Sequence, residues 1–217
     1  MITESTQTDP TRERLLDEAE KLFAEKGFDG VSVREITAMA GSHLSAVNYH
    51  FGSKKNLYLS VFQERWIPRA KRVVGKISQV DTNGDKSVEK VVHYLAEAFL
   101  TGFGDPKVRQ MHHQMIHREM SRPTEALEMI AEQVTKPFFL KMQKILRDRM
   151  PSSQNGDDMF LGVFSVFAQI IFFNFGRNMV SLLTGREYDQ AFRDQVVKHI
   201  THFSLYGLNG NSTESKS

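Results

Sequence analysis

From Leu15 to Phe62 apolar side chains recur three and four residues apart, and Gly27, Gly41 and Gly52 cut that pattern into short lengths. This is the spacing of helices that each bury one stripe. No stretch of strict apolar/polar alternation bounded by hairpin turns competes with it in the 217 residues, so the chain is expected to be all-α. The first helix opens on Asp9 as N-cap with Pro10 in the first helical position, where proline's fixed φ and missing N–H do no harm. Leu15, Leu16, Ala19, Leu22 and Phe23 form its stripe, and Gly27 is expected to end it as a left-handed cap. Ser32-Val33-Arg34-Glu35 reads as a capping box for a helix of barely two turns that closes at Gly41. A third short helix is expected to hold His43 to Phe51. Gly52-Ser53 breaks it, and Ser53 caps a fourth with Leu57, Val61 and Phe62 inward.

Beyond about residue 65 the helices lengthen. They are expected at Lys86–Phe103, Pro106–Met120, Thr124–Met150, Asp157–Leu183 and Asp189–Tyr206, with Pro137 kinking the third by removing a hydrogen bond. The apolar run from Met159 to Phe175 carries Gln169 and Asn174 and falls short of the roughly 20 apolar residues a membrane span needs. It reads as a helix buried in protein on most faces, with no membrane partner. The absence of cysteine excludes disulfides, a thiolate nucleophile and Cys-based zinc or iron–sulfur sites, which agrees with a cytoplasmic location. The polar opening MITESTQTDPTRER shows no apolar secretory signal, and residues 1–8 and 208–217 are expected to be disordered tails.

Ser32 to Phe51, SVREITAMAGSHLSAVNYHF, has the form of two short helices crossing at a glycine turn. Ala40 is small at the crossing, and Val47 and Phe51 pack inward. That leaves Ser42, His43, Ser45, Ala46, Asn48, Tyr49 and His50 on or near the outer face of the second helix, none of them acidic. Small donors and acceptors at base edges, with cations or hydroxyls at phosphates, are what a reader of duplex DNA needs. Two helices joined by glycine are more often plain architecture, and charge bears on the choice. Met1 to Gly41 holds five basic against nine acidic residues, whereas Ser42 to Lys76 holds seven basic residues (Lys54, Lys55, Arg65, Arg69, Lys71, Arg72, Lys76) against Glu64 alone. A basic run behind a reading helix is the electrostatic footprint expected for DNA.

The stretch TRERLLDEAEKLFAEKGFDGVSVREITAMAGSHLSAVNYHFGSKKNLYLSVF resembles the N-terminal domain of the TetR family of transcriptional regulators. The resemblance runs from about Asp9 to Arg69. It includes Ala19, Leu22, Phe23, Gly27 and Phe28, the S-V-R-E-I helix, Ala40-Gly41, and His50, Phe51, Ser53 and Lys54 in order and spacing. It implies an all-helical, dimeric protein that generally represses transcription until a small molecule binds its C-terminal domain. By the same resemblance Ser32 and Lys54 contact phosphates at helix N-termini. Ser42, His43, Leu44, Ser45 and Tyr49 then lie on the recognition helix, with His50 toward the backbone. Asn48 stands where many members have a phosphate-contacting tyrosine. Asparagine can instead bond adenine bidentately, which leaves the role of this position open.

His117 to Leu146 is similar to a TetR subgroup with a CerR-like C-terminal domain, through Arg118-Glu119, Pro123 and Pro137. The Phe-rich helix is apolar on too many sides for one stripe and needs cover on several. In the family the last two long helices pair with their symmetry mates. That places Phe167 and Phe172 with Val196, Ile200 and Phe203 in a dimer interface, the alternative being a large monomeric core. For an effector pocket, Phe99, Phe103, Met115, Ile116, Phe138, Phe139, Met142 and Phe164 offer an adaptable apolar lining, and His113, His117, Arg118 and Gln169 offer polar groups. His112, His113 and His117 with Glu119 invite a metal reading. However, no Glu follows the first histidine and no partner orients them, so a pocket rim or surface is the better reading, with no metal or cofactor. No G-x-S-x-G elbow, P-loop or GxGxxG gives catalysis a foothold.

The sequence thus predicts a helix-turn-helix domain over residues 9–69, with the motif itself at about 32–51. A helical ligand-binding and dimerisation domain is expected over 70–207. Its expected partners are double-stranded DNA at a palindromic operator, a second copy of the chain and a small apolar or aromatic effector that releases it from DNA. The competing readings are a helical small-molecule carrier with a vestigial DNA-binding part and, further off, a helical enzyme.

Overall fold

The computed structural model describes residues 9–79, 87–101, 105–148 and 156–209, and no strand occurs among them. They form two compact units. One combines the chain up to Ala70 with Pro106–Ala131, and the other combines Lys71–Asp105 with the chain from Glu132 onward. The sequence placed residues 106–131 in a C-terminal domain beginning at residue 70. They pack instead with the N-terminal helices.

In the first unit α1 (Pro10–Lys26) starts where the Asp9 carboxylate accepts from Thr11 N at 2.8 Å, and it buries Leu15, Leu16, Ala19 and Phe23. Gly27 ends it at φ +75°, ψ 176°. This is not the left-handed helical conformation expected but the extended mirror region, which is open essentially to glycine alone. Helices α2 (Val33–Met39) and α4 (Lys54–Val61) are capped by Ser32 and Ser53, each hydroxyl accepting from the N–H three residues on at 3.1 Å. Between them α3 (Ser45–Phe51) starts two residues later than expected. Ile36, Val47, Leu57, Val61 and Phe62 are completely buried with Leu15 and Leu16, so these helices share one core.

Two more helices complete the unit, α7 (Pro106–Ser121) and α8 (Glu125–Ile130). One face of α7 carries the contacts. Trp66 Nε1 donates to the His112 carbonyl at 3.1 Å while the two rings stack at 5.2 Å, and Met115 is buried. The Arg118 guanidinium donates to the Ala24 and Glu25 carbonyls, satisfying acceptors that the end of α1 leaves open. Glu119, 1% exposed, accepts from the Tyr58 hydroxyl, from Thr124 N at 2.9 Å and from the Thr124 hydroxyl. A buried carboxylate is tolerable only when its oxygens are satisfied in this way.

Helix α5 (Ile67–Gln79) follows a π turn at Phe62–Trp66, and α9 (Lys136–Arg147) follows another at Ala131–Thr135. Each π turn ends two residues before a proline, Pro68 or Pro137. In a regular helix the ring of proline i collides with carbonyl i−4, here Glu64 or Gln133, and both of these lie inside the widened turns. The irregularity expected at Pro137 therefore takes the form of a π turn that separates α8 from α9.

In the second unit α6 (Val88–Leu100) lies along α12 (Gln190–Asn209), and α10 (Gly156–Phe175) packs against α6, α9 and α12. Leu95, Met142, Val166, Ile170, Val196 and Ile200 belong to its core. The helix expected over Asp157–Leu183 is two helices, since α10 and α11 (Arg177–Thr184) meet at Gly176 with a 75° bend. A Cβ at Gly176 would stand 2.8 Å from the Phe172 carbonyl oxygen, so glycine suits the bend. Among the described residues no single helix is long and apolar enough to cross a membrane. Within one chain α10 is also less covered than its composition implied, for Phe160, Leu161, Phe164 and Phe172 are all exposed.

Candidate nucleic-acid interface

The reading face is built from the turn outward. Gly41, at φ +59°, reverses the chain after α2, and Ser42 N returns to the Thr37 carbonyl at 2.9 Å. Arg14 on α1 donates through Nε to the Ala40 carbonyl at 3.1 Å, tying the first helix to the turn. With Val47 and Phe51 inward, α3 leaves His43, Leu44, Ser45, Asn48 and Tyr49 exposed, Tyr49 at 84%. An aromatic hydroxyl held so far out of the protein on a helix that carries no acidic residue is suited to reach into a groove. Ser42 is half-buried, its hydroxyl donating to the Thr37 carbonyl at 3.4 Å, so it faces the turn more than the solvent. His50 is also half-buried, with Nε2 3.8 Å from the Asp9 carboxylate and its ring edge-on to Tyr49. The N–H of Thr11, and beyond it the His50 ring, holds the Asp9 carboxyl below its usual range.

Ser32 and Lys54 sit at the starts of α2 and α4. Ser32 is exposed while capping Glu35 N. The Lys54 ammonium lies over the Phe28 ring, 4.3 Å from its centroid, an arrangement that holds the cation at the helix N-terminus.

The wider charge argument from the sequence does not survive. Arg65 pairs with Glu13 and Asp17, Arg69 with Glu20, Lys55 with Glu125, and the lone acid of the run, Glu64, with Arg12. Two of the seven basic residues, Arg65 and Arg69, thus neutralise acids of α1, and Lys55 is engaged by α8, so the run is not one free stripe for phosphates. Lys54 and the exposed Arg34 are what the run and its neighbourhood leave near the helix-turn-helix.

The expected effector residues divide between the two units. His113, Ile116 and His117 belong to the first unit, whereas Phe99, Phe138, Phe139, Met142 and Phe164 belong to the second, and Phe103 lies outside the described residues. Phe138 and Met142 do line an apolar cavity in the second unit, with Val92, Leu95, Val163 and Phe167 among their neighbours. Its volume of about 10 Å³ is about the room one water needs. The aliphatic liners were missed because nothing separates them from ordinary core positions in sequence. Among the described residues no group of three or more His, Cys, Asp or Glu side chains is placed to hold a metal.

The expected dimer residues also divide. Val196 and Ile200 are 4% and 0% exposed inside the chain's own core, and Phe167 packs among Phe99, Phe138 and Phe139. Val196 and Ile200 are corrected to core residues, whereas Phe167 is partly buried against that core. Phe172 and Phe203 are more than half exposed, and Phe160, Leu161 and Phe164 join them on the exposed apolar surface of the unit.

A helix-turn-helix whose outward second helix carries no acid, built into one helical unit and followed by another, is the arrangement that DNA-binding transcriptional regulators use. Residues 15–61 match the family model described as bacterial regulatory proteins, tetR family, and residues 89–210 match that of the C-terminal domain of the HTH-type transcriptional dual regulator CecR. The chain is similar to the HTH-type transcriptional dual regulator CecR of Shigella flexneri, 26% identical over 213 residues that cover 94% of each. It is also similar to the HTH-type transcriptional repressor NicS of Pseudomonas putida, 39% identical over 57 residues covering 26% of this chain and 27% of that one. Among solved structures, the fatty acid degradation regulator FadR from Bacillus halodurans has the same fold. Its TM-score is 0.63 at 17% identity, covering 94% of this chain and 99% of that chain. The chain belongs to the TetR family of transcriptional regulators, with a C-terminal domain of the CecR type in place of the CerR-like one expected from the sequence. Its relatives and fold are those of regulators, not enzymes.

Proposed function

We propose that the chain acts as a homodimeric regulator that binds a palindromic operator and leaves it when a small apolar or aromatic effector binds the second unit. The observation that carries the reading is the exposed aromatic surface of α10 and α12, with Phe160, Phe164, Phe172 and Phe203 between 45% and 62% exposed. A soluble chain seldom leaves such a surface bare, and a second copy would bury it. Two copies then present two recognition helices, as a two-fold operator requires. His43, Leu44, Ser45, Asn48 and Tyr49 read bases in this account, and Ser32, Lys54 and the half-buried Ser42 and His50 serve the backbone. Support for repression comes from NicS, named a repressor, while CecR is named a dual regulator.

The effector site in this reading is the cavity by Phe138, Met142 and Phe167, whose wholly apolar walls favour an uncharged ring or chain. Opening it requires side chains to move, and methionine and aromatic rotamers allow that. No observation favours the carrier with a vestigial DNA-binding part. The test is light scattering of the protein together with gel shifts on a selected operator, each with and without aromatic and acyl compounds. Two chains per particle and release from DNA by such a compound are expected. A monomer at micromolar concentration would overturn the reading.

A further inference from the structure

The first turn of α1 holds the far end of the recognition helix. Arg12 donates to both oxygens of Glu64, at 2.7 and 2.5 Å, in a fork that fixes the guanidinium plane. Its Cζ lies 5.0 Å from the centroid of Phe51, the last residue of α3. The Phe51 ring meets the His50 ring at 6.2 Å, and His50 meets Tyr49 at 4.8 Å. One turn earlier, Asp9 faces His50 from α1. Arg12 and Glu64 are both about a third exposed, and Glu64 sits in the π turn at Phe62–Trp66. The Arg12 guanidinium holds the Glu64 carboxyl below its ordinary range, so the pair is charged at neutral pH.

A basic residue at the start of a DNA-binding domain is ordinarily read as a phosphate contact. Here the fork is occupied and the cation lies on a ring. We propose that Arg12, clamped by Glu64 onto Phe51, is a positioning residue that fixes the C-terminal end of the recognition helix and so sets base discrimination at Tyr49. The proposal rests on the recognition-helix reading above. Arg12 adds little to the charge seen by DNA, because Glu64 cancels it. Glu64, an acid near a DNA-binding surface, works for operator affinity and not against it.

The test uses the full chain, a duplex selected from a random-sequence pool by the unmutated protein, and a scrambled duplex of the same composition. Binding is measured across a salt series for Glu64→Gln, Arg12→Met, Arg12→Lys, the swap Arg12→Glu with Glu64→Arg, and Tyr49→Ala. The single changes at 12 and 64 are expected to lower the selected-to-scrambled affinity ratio about 5- to 30-fold, leaving the salt slope and the scrambled affinity unchanged. The swap is expected to restore much of the ratio. A salt slope lower by about one unit in Arg12→Met, with equal losses on both duplexes, marks a phosphate contact and overturns the proposal. So does Glu64→Gln tightening both duplexes by freeing a cation. Should Arg12→Met not fold, Arg12→Lys decides, since it keeps the charge without the fork and undiminished discrimination there refutes the clamp. If Tyr49→Ala leaves the ratio intact, the recognition-helix reading fails, and the proposal with it. If Tyr49→Ala lowers the ratio and the changes at 12 and 64 do not, only the proposal fails.

Discussion

Replacing Tyr58 with phenylalanine isolates one hydrogen bond at the junction of α4 and α7. The ring stays, packed edge-on against Phe23 at 4.9 Å and Phe62 at 5.2 Å, and only the hydroxyl that Glu119 accepts from is lost. Glu119 then keeps Thr124 as its partner inside a site that is 1% exposed. A hydrogen bond to a buried charged group is worth about 1.5–3 kcal/mol, so Tyr58→Phe is expected to cost about that much at neutral pH. The pH dependence sharpens the test. Burial first, and then Glu119, pushes the Tyr58 hydroxyl well above its ordinary 10.0 in the folded chain. The unfolded tyrosine ionises near pH 10 while the folded one keeps its proton. The contribution is therefore whole below pH 10 and shrinks above it, by up to about 1.4 kcal/mol per pH unit. The difference between protein and variant should close as pH rises past 10. Urea unfolding followed by fluorescence reads this directly, because the chain has one tryptophan, Trp66, stacked on His112 in the same unit. Equal stability at pH 7, or a gap that persists undiminished above pH 10, would refute the reasoning.

Further outcomes follow from other sites. Gly176→Ala fits φ −83° but sets a Cβ 2.8 Å from the Phe172 carbonyl, so thermal melts should show a loss of about 1–3 kcal/mol. Ile200→Ala should cost about 2–5 kcal/mol of protomer stability by denaturant titration, whereas Phe172→Glu should leave helix content intact by circular dichroism and yield monomers by light scattering. Lys54→Ala should weaken all duplexes alike and lower the salt slope by about one unit, while Tyr49→Ala should cost about 1–3 kcal/mol at particular base pairs in a substitution series.

Most of the local structure of residues 9–61 was legible because its signals are local: Asp9 with Pro10, Ser32 with Glu35, Ser53, and Gly41 at positive φ each act within a few residues. What joins α7 to that unit was not. Arg118 reaches carbonyls 93 and 94 residues away, and no periodicity marks Glu119 as buried. Pro137 announced a disturbed helix, but whether a helix answers with a kink or a π turn depends on the packing around it. α12 carries apolar residues on more than its buried face, so composition could not tell that Ile200 is completely buried in the chain's own core while Phe203 is 61% exposed. The basic run misled for a related reason. A count of charges along the chain cannot see that α1 lies beside Arg65 and Arg69.

The central claim is that α3 reads DNA in a two-fold arrangement, and selection from a random-sequence duplex pool, with the number of chains per bound duplex measured on the winners, tests it most directly. The account predicts enrichment of two half-sites related by a two-fold axis, their centres about 34–36 Å apart or a multiple of that, with two chains or a multiple of two bound. It also predicts that the enrichment disappears when Tyr49→Ala is used for the selection. A pool that stays unenriched, or a single unrepeated half-site holding one chain, would contradict it.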